Sequence, residues 1–160
     1  MGKKAINDYM SPKGSVLDVG CGCGREAFVL HNLGYKVTAI DLSIQQINQA
    51  KQNALNNNKH IDFSVCDGLH YAFANESFDY VIMWQQVLGN VPRYSNRIDV
   101  LKEARRVLKP GGHLIVSVHN YEACFPVVER ENLLISEGSE ERDYILKEAH
   151  NSSCYWHYFT

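Results

Sequence analysis

Residues 16–25 read Val-Leu-Asp-Val-Gly-Cys-Gly-Cys-Gly-Arg and constrain this chain more than any other stretch. An apolar run carrying one carboxylate, Asp18, gives way to a loop with glycine at positions 20, 22 and 24, and a helical pattern follows at once. Alternating glycines let the backbone turn tightly and let a ligand lie against it with no Cβ in the way. A helix start offers free N–H groups in its first turn. A strand, a glycine loop and a helix in that order form a cradle for a small polar molecule.

The rest of the chain repeats the strand–helix alternation. Residues 15–19 form the first strand, and residues 25–33 form a helix with Ala27, Phe28, Leu30 and Leu33 on one face. Gly34 ends that helix as a C-cap glycine. Residues 36–40 are the second strand, ending at Asp41, and Ser43 is the N-cap of a helix over 44–57 that the Asn56-Asn57-Asn58 run stops. A third strand over 61–65 ends before Cys66-Asp67-Gly68, and a fourth covers 78–84. Residues 96–108 are a helix with Ile98, Leu101, Ala104, Arg105 and Leu108 at helical spacing, broken by Pro110-Gly111-Gly112 ahead of a fifth strand at 113–118. This alternation predicts an α/β fold with a doubly wound, mainly parallel sheet. After His119 the pattern weakens. Acidic residues dominate 129–143, a helix is expected at 140–149, and the aromatic run 154–159 is strand-like.

Composition removes several function classes. The 160 residues are 45% hydrophobic, enough for one domain core and too few for two. The net charge of -2 points to neither a nucleic-acid nor a membrane partner. The basic residues Arg93, Arg97, Lys102, Arg105, Arg106 and Lys109 read mostly as the exposed face of one helix. The N-terminal residues lack the apolar segment of a signal peptide, so the expected location is cytoplasmic. Five cysteines at irregular spacing read as free thiols. Cys21 and Cys23 have no second pair at zinc-like spacing, so no metal is expected.

Open α/β sheets bind ligands outside the carboxyl ends of their strands. Here Asp18, Asp41 and Asp67 converge on that rim, with Gln85 after the fourth strand. Three carboxylates suit a ligand rich in hydrogen-bond donors and repel one led by phosphate. A nucleoside bearing an amino-acid-like tail fits that description.

The ordered set of residues 16–24, the strand ending at Asp41, Asp67-Gly68, Phe78-Asp79-Tyr80-Val81-Ile82 and Leu108-Lys109-Pro110-Gly111-Gly112 resembles the class I S-adenosylmethionine-dependent methyltransferases, whose core is Rossmann-like. The resemblance covers about residues 13–119 and treats the whole chain, 1–160, as a single domain. It implies S-adenosylmethionine as cofactor. Gly20, Gly22 and Gly24 would pass close to its methionine portion, and Asp18 would help hold the amino group. Asp41 would take the ribose hydroxyls, and Asp67, with Gly68 beside it, would face the adenine amine. Leu42 and Leu69 would sandwich the adenine ring, and Gln85 would lie by the methionine portion. The implied activity is methyl transfer to an acceptor, with a small molecule favoured.

Two other readings stay open: a domain that binds the cofactor but is catalytically incomplete, and a nicotinamide-dependent oxidoreductase. Gly22-x-Gly24-x-x-Ala27 with Asp41 also satisfies the dinucleotide fingerprint. That reading sets a pyrophosphate near Asp18 and leaves Asp67 and the Pro-Gly-Gly turn without a role. Gln86, Asn90, His119 and Tyr121 are candidates on the acceptor side, and no catalytic residue is assigned. Members of the family add an antiparallel pair of strands after the fifth. With 41 residues after His119, the expectation is a five-stranded core lacking some or all of those strands, its C-terminal part, 120–160, incomplete.

Overall fold

A computed structural model describes residues 6 and 8–118 and, for their backbone, the strands Asp143–Lys147 and Ser153–His157. The chain runs β1 (Ser15–Val19), α1 (Arg25–Asn32), β2 (Lys36–Asp41), α2 (Ile44–Asn56), β3 (Asp62–Val65), β4 (Phe78–Met83), a 3-10 turn (Leu88–Asn90), α3 (Tyr94–Val107), β5 (Leu108–Val116), β6 (Asp143–Lys147) and β7 (Ser153–His157). Strands β1 to β5 form one parallel sheet in the order β3-β2-β1-β4-β5. The order reverses between β1 and β4, so the switch point of this doubly wound sheet opens beside the glycine loop.

Strand alternation divides β1 between two cores. Val16 packs with Ala27 and Leu30 of α1 and Ile47 and Ala50 of α2 on one face. Leu17 and Val19 pack with Val100, Ala104 and Val107 of α3 on the other. Asp18 therefore points to the α1 side of the sheet.

The helix ends follow local chemistry. Ser43 Oγ accepts from the Gln46 N–H at the start of α2. Gly34, at φ +89°, closes α1 with Tyr35 N–H donating to the Leu30 carbonyl and Gly34 N–H to that of His31. Asn58, at φ +50°, closes α2 with the same pair of bonds.

The opposite end of the sheet is fastened by Asp79. Its Oδ2 accepts from Ser15 N–H (2.8 Å) and Ser15 Oγ (2.7 Å), and its Oδ1 from Lys109 Nζ (2.9 Å). Lys109 and Ser15 hold this carboxyl down at about 2.

Four expectations are corrected. Strand β5 begins at Leu108 and contains Pro110-Gly111-Gly112 as a bulge: β5 advances five residues, from Leu108 to His113, while β4 advances two. The buried face of α3 is Arg97, Val100, Ala104 and Val107, about one residue off the expected stripe. Arg97 is buried, Lys109 pairs with Asp79, and Arg106 reaches the carbonyls of Tyr71 and Phe73 while bonding Glu103, so half of the basic set is not a solvated face. Residues 143–147, expected in a helix, are strand β6, paired antiparallel with β7.

The β6–β7 pair is a separate two-stranded sheet, and β7 passes beside the 3-10 turn. Among the described residues, no strand pairs with the free edge of β5. The expectation about an incomplete C-terminal part falls mostly outside the described residues, as do His119 and Tyr121.

Candidate functional site

The glycine loop is tied to the end of β2 by its backbone. Gly20 and Cys21 N–H groups both donate to the Ile40 carbonyl, at 2.8 and 3.0 Å. Asp41 completes the tie: its Oδ2 accepts from Gly22 N–H (2.8 Å) and its Oδ1 from Ser43 N–H (2.9 Å). The carboxylate thus fixes the loop and the entry to α2 together. Capping of α2 belongs to Ser43, which leaves the remaining lone pairs of Asp41 for a ligand.

A cavity of about 280 Å³ opens at the switch point. Of the expected site residues it brings together Gly20, Asp41, Leu42, Asp67, Gly68 and Gln85. Leu42 is 72% exposed and lines the cavity with Asp41 and Asp67. Asp67 Oδ1 accepts from Leu69 N–H (2.9 Å) and His70 N–H (3.3 Å), and its side chain faces solvent.

The other four expected residues do not line this cavity. Leu69 packs on the α3-side core. Gly24, at φ +89°, is the N-cap of α1; that backbone favours glycine, and a Cβ there would also stand 3.0 Å from both the Phe28 and Phe63 rings. Gly22 opens on the α2 side, where the one neighbour a Cβ would meet is Gln46 Oε1 at 3.8 Å.

Asp18 lies beneath the loop, 2% exposed, and its Oδ2 takes no hydrogen bond from any described residue. Burial, then Glu26, then Asp41 push its carboxyl up to about 8. A buried carboxyl oxygen left without a hydrogen-bond partner is costly, and such an oxygen is rare in a folded chain. A cationic group arriving over the loop would offset that cost.

Sequence reading missed the apolar half of the cavity. Val19, Ile40, Val87, Val91 and Val100 line it, together with Cys66 and Asn90. Val87 is placed there by two successive left-handed residues, Gln85 (φ +58°) and Gln86 (φ +63°), which turn the chain back over β1. Nothing in a Gln-Gln pair signals that turn. Val100 follows from the shifted face of α3. Of the acceptor-side candidates, Asn90 lines the cavity and Gln86 is buried.

Cys21 is buried and Cys23 Sγ meets Gln46 Oε1 at 2.7 Å. Among the described residues, no group of three metal-ligating side chains forms, and no helix is long and apolar enough to cross a membrane.

Comparison with known proteins agrees with this geometry. Residues 16–112 match the family described as Methyltransferase domain. The chain belongs to that family. The matched span runs from β1 through the bulge of β5 and so includes every element that builds the cavity. The methyltransferase domain is 35% identical over 114 residues to 2-methyl-6-phytyl-1,4-hydroquinone methyltransferase of Synechocystis sp., covering 71% of this chain and 34% of the relative. It is 32% identical over 132 residues to the ubiquinone biosynthesis O-methyltransferase of Thiobacillus denitrificans, covering 82% of this chain and 52% of that protein. The chain therefore spans about half the length, or less, of these curated relatives. Among solved structures it resembles the PH0226 protein of Pyrococcus horikoshii (TM-score 0.84, 28% identity, covering 98% of this chain and 71% of that one). It also resembles a SAM-dependent methyltransferase of Methanosarcina mazei (TM-score 0.79, 27% identity, covering 97% and 77%).

Proposed function

We propose that this chain binds S-adenosylmethionine at the β1–β4 switch point and transfers its methyl group to a small-molecule acceptor. The observation that carries the reading is the rim itself: Asp41, Asp67 and Glu26 gather around a glycine loop, and beneath it the buried Asp18 carboxyl has no cation beside it among the described residues. Such a field attracts an ammonium and a sulfonium and repels a pyrophosphate. That disfavours the nicotinamide reading on the same grounds as the sequence did.

In this reading Asp18 acts on the ligand's ammonium from beneath the loop, while Gly20, Gly22, Gly24 and Gln85 flank the methionine portion. Asp41 takes the ribose hydroxyls. Asp67 and Gly68 meet the adenine amine, and Leu42 and Leu69 bound the ring. Bound there, the cofactor supplies an electrophilic methyl group that needs no further activation by the protein. The chain's own work is to orient the acceptor and exclude water. Val87, Val91 and Val100 dry one wall of the cavity, and Asn90 offers a polar handle on it. No described residue is assigned as a general base.

The names of the quinol and ubiquinone-pathway relatives support a small-molecule acceptor, as does the near-neutral charge balance. The test is incubation with methyl-labelled S-adenosylmethionine and pools of small apolar phenols, amines and carboxylic acids. Label should move to a pool component in step with formation of S-adenosylhomocysteine. Tight cofactor binding with no transfer to any pool would favour the catalytically incomplete reading instead.

A further inference from the structure

We propose that this site exchanges a proton for its ligand's ammonium: Asp18 holds a proton while no ligand is bound and releases it when a cationic amine docks over the glycine loop. The proposal rests on the methyltransferase reading of the rim and adds a property of the chain's own carboxyl.

The geometry carries it. Asp18 is in the central strand, in register with Ala39 of β2 on one side and Ile82 of β4 on the other, so neither neighbour offers a charge or a side-chain donor at that level. Its Oδ2 is sealed from solvent and, among the described residues, unpartnered. The groups that act on it from the packed elements are Glu26 of α1, Asp41 of β2 and the buried Cys21 thiol of the loop. None is a cation. Glu26 is paired with Arg25 at 2.7 Å, and both Asp41 oxygens are turned to backbone N–H groups, so neither acid offers Asp18 a hydrogen-bond donor. With its carboxyl raised to about 8, Asp18 carries a proton near neutrality. An ammonium brought to the loop reverses the local field and favours the carboxylate. Binding is then linked to proton release, and affinity rises with pH.

Titration calorimetry with S-adenosylhomocysteine, in buffers of different ionisation enthalpy at pH 6.5 and 7, counts the protons released. The wild-type chain should release about one proton per ligand, and affinity should rise roughly tenfold per pH unit below pH 7. 5′-Methylthioadenosine, which keeps the nucleoside and thioether but has no ammonium, should release none. Asp18→Asn should bind S-adenosylhomocysteine more weakly and without proton release. Where that variant fails to fold, the contrast between the two ligands on the wild-type chain decides alone. Tight S-adenosylhomocysteine binding with no proton released, or equal release by the two ligands or by Asp18→Asn, overturns the proposal and leaves the methyltransferase reading standing. No binding of S-adenosylhomocysteine at all removes that reading and the proposal with it.

Discussion

Gly20→Ala should lose both cofactor binding and about 2–5 kcal/mol of stability. Two separate costs add. Gly20 sits at φ +73°, a left-handed conformation that costs an alanine about 1–2 kcal/mol. A Cβ there would also stand 2.4 Å from Val87 Cγ2 and 2.9 Å from Cγ1, an overlap that must push one loop away from the other. Overpacking of that kind costs about 1–3 kcal/mol. Because Gly20 and Val87 both line the cavity, relieving the overlap deforms the space a ligand would occupy. Denaturant unfolding and calorimetry of the single variant measure the two losses. A second substitution, Val87→Ala, removes the obstructing methyls and should recover part of the stability, while the cost of the backbone conformation stays. Full recovery, or no recovery, would show that the two terms have been assigned wrongly.

Asp41→Ala should weaken S-adenosylhomocysteine binding by about 10–100-fold, the worth of a charge-assisted hydrogen bond. In the structure this residue also holds the loop. Its two oxygens bind Gly22 N–H and Ser43 N–H, so the substitution also unties the glycine loop from β2. Stability should fall with affinity. Ser43→Ala is the control, because it removes only the hydroxyl that accepts from Gln46 N–H. It should cost about 1 kcal/mol of stability as a lost N-cap and leave affinity nearly unchanged. If Asp41→Ala lowers stability but not affinity, Asp41 serves the loop alone and the ribose role is wrong.

These effects show which parts of the molecule its sequence reveals. The strand–loop–helix at residues 15–32 is legible because three local signals agree there: an apolar run, alternating glycines and helical spacing. The C-caps at Gly34 and Asn58 are legible for the same reason, since the residue type is the conformation's requirement. The carboxylates at strand ends follow from strand order. What escapes is what depends on a distant partner. Pro110-Gly111-Gly112 reads as a break, yet β4 pairs on both sides of it and keeps it inside β5. Residues 143–147 mix strand formers (Tyr144, Ile145) with helix formers (Leu146, Lys147), and pairing with β7, a distant partner, decides for strand. Arg106 looks like a solvated charge until the loop carbonyls of Tyr71 and Phe73 are placed before it. Val87 reaches Gly20 only because two glutamines adopt positive φ.

The central claim is that this rim selects an ammonium-bearing nucleoside over a dinucleotide. Titration calorimetry of the wild-type chain with S-adenosylmethionine, S-adenosylhomocysteine and NAD, side by side at one pH and low salt, tests it most directly. The rim of Asp18, Asp41 and Asp67 predicts one-to-one binding of both sulfur compounds and no measurable heat with NAD. Tight binding of NAD with no response to either sulfur compound would contradict it.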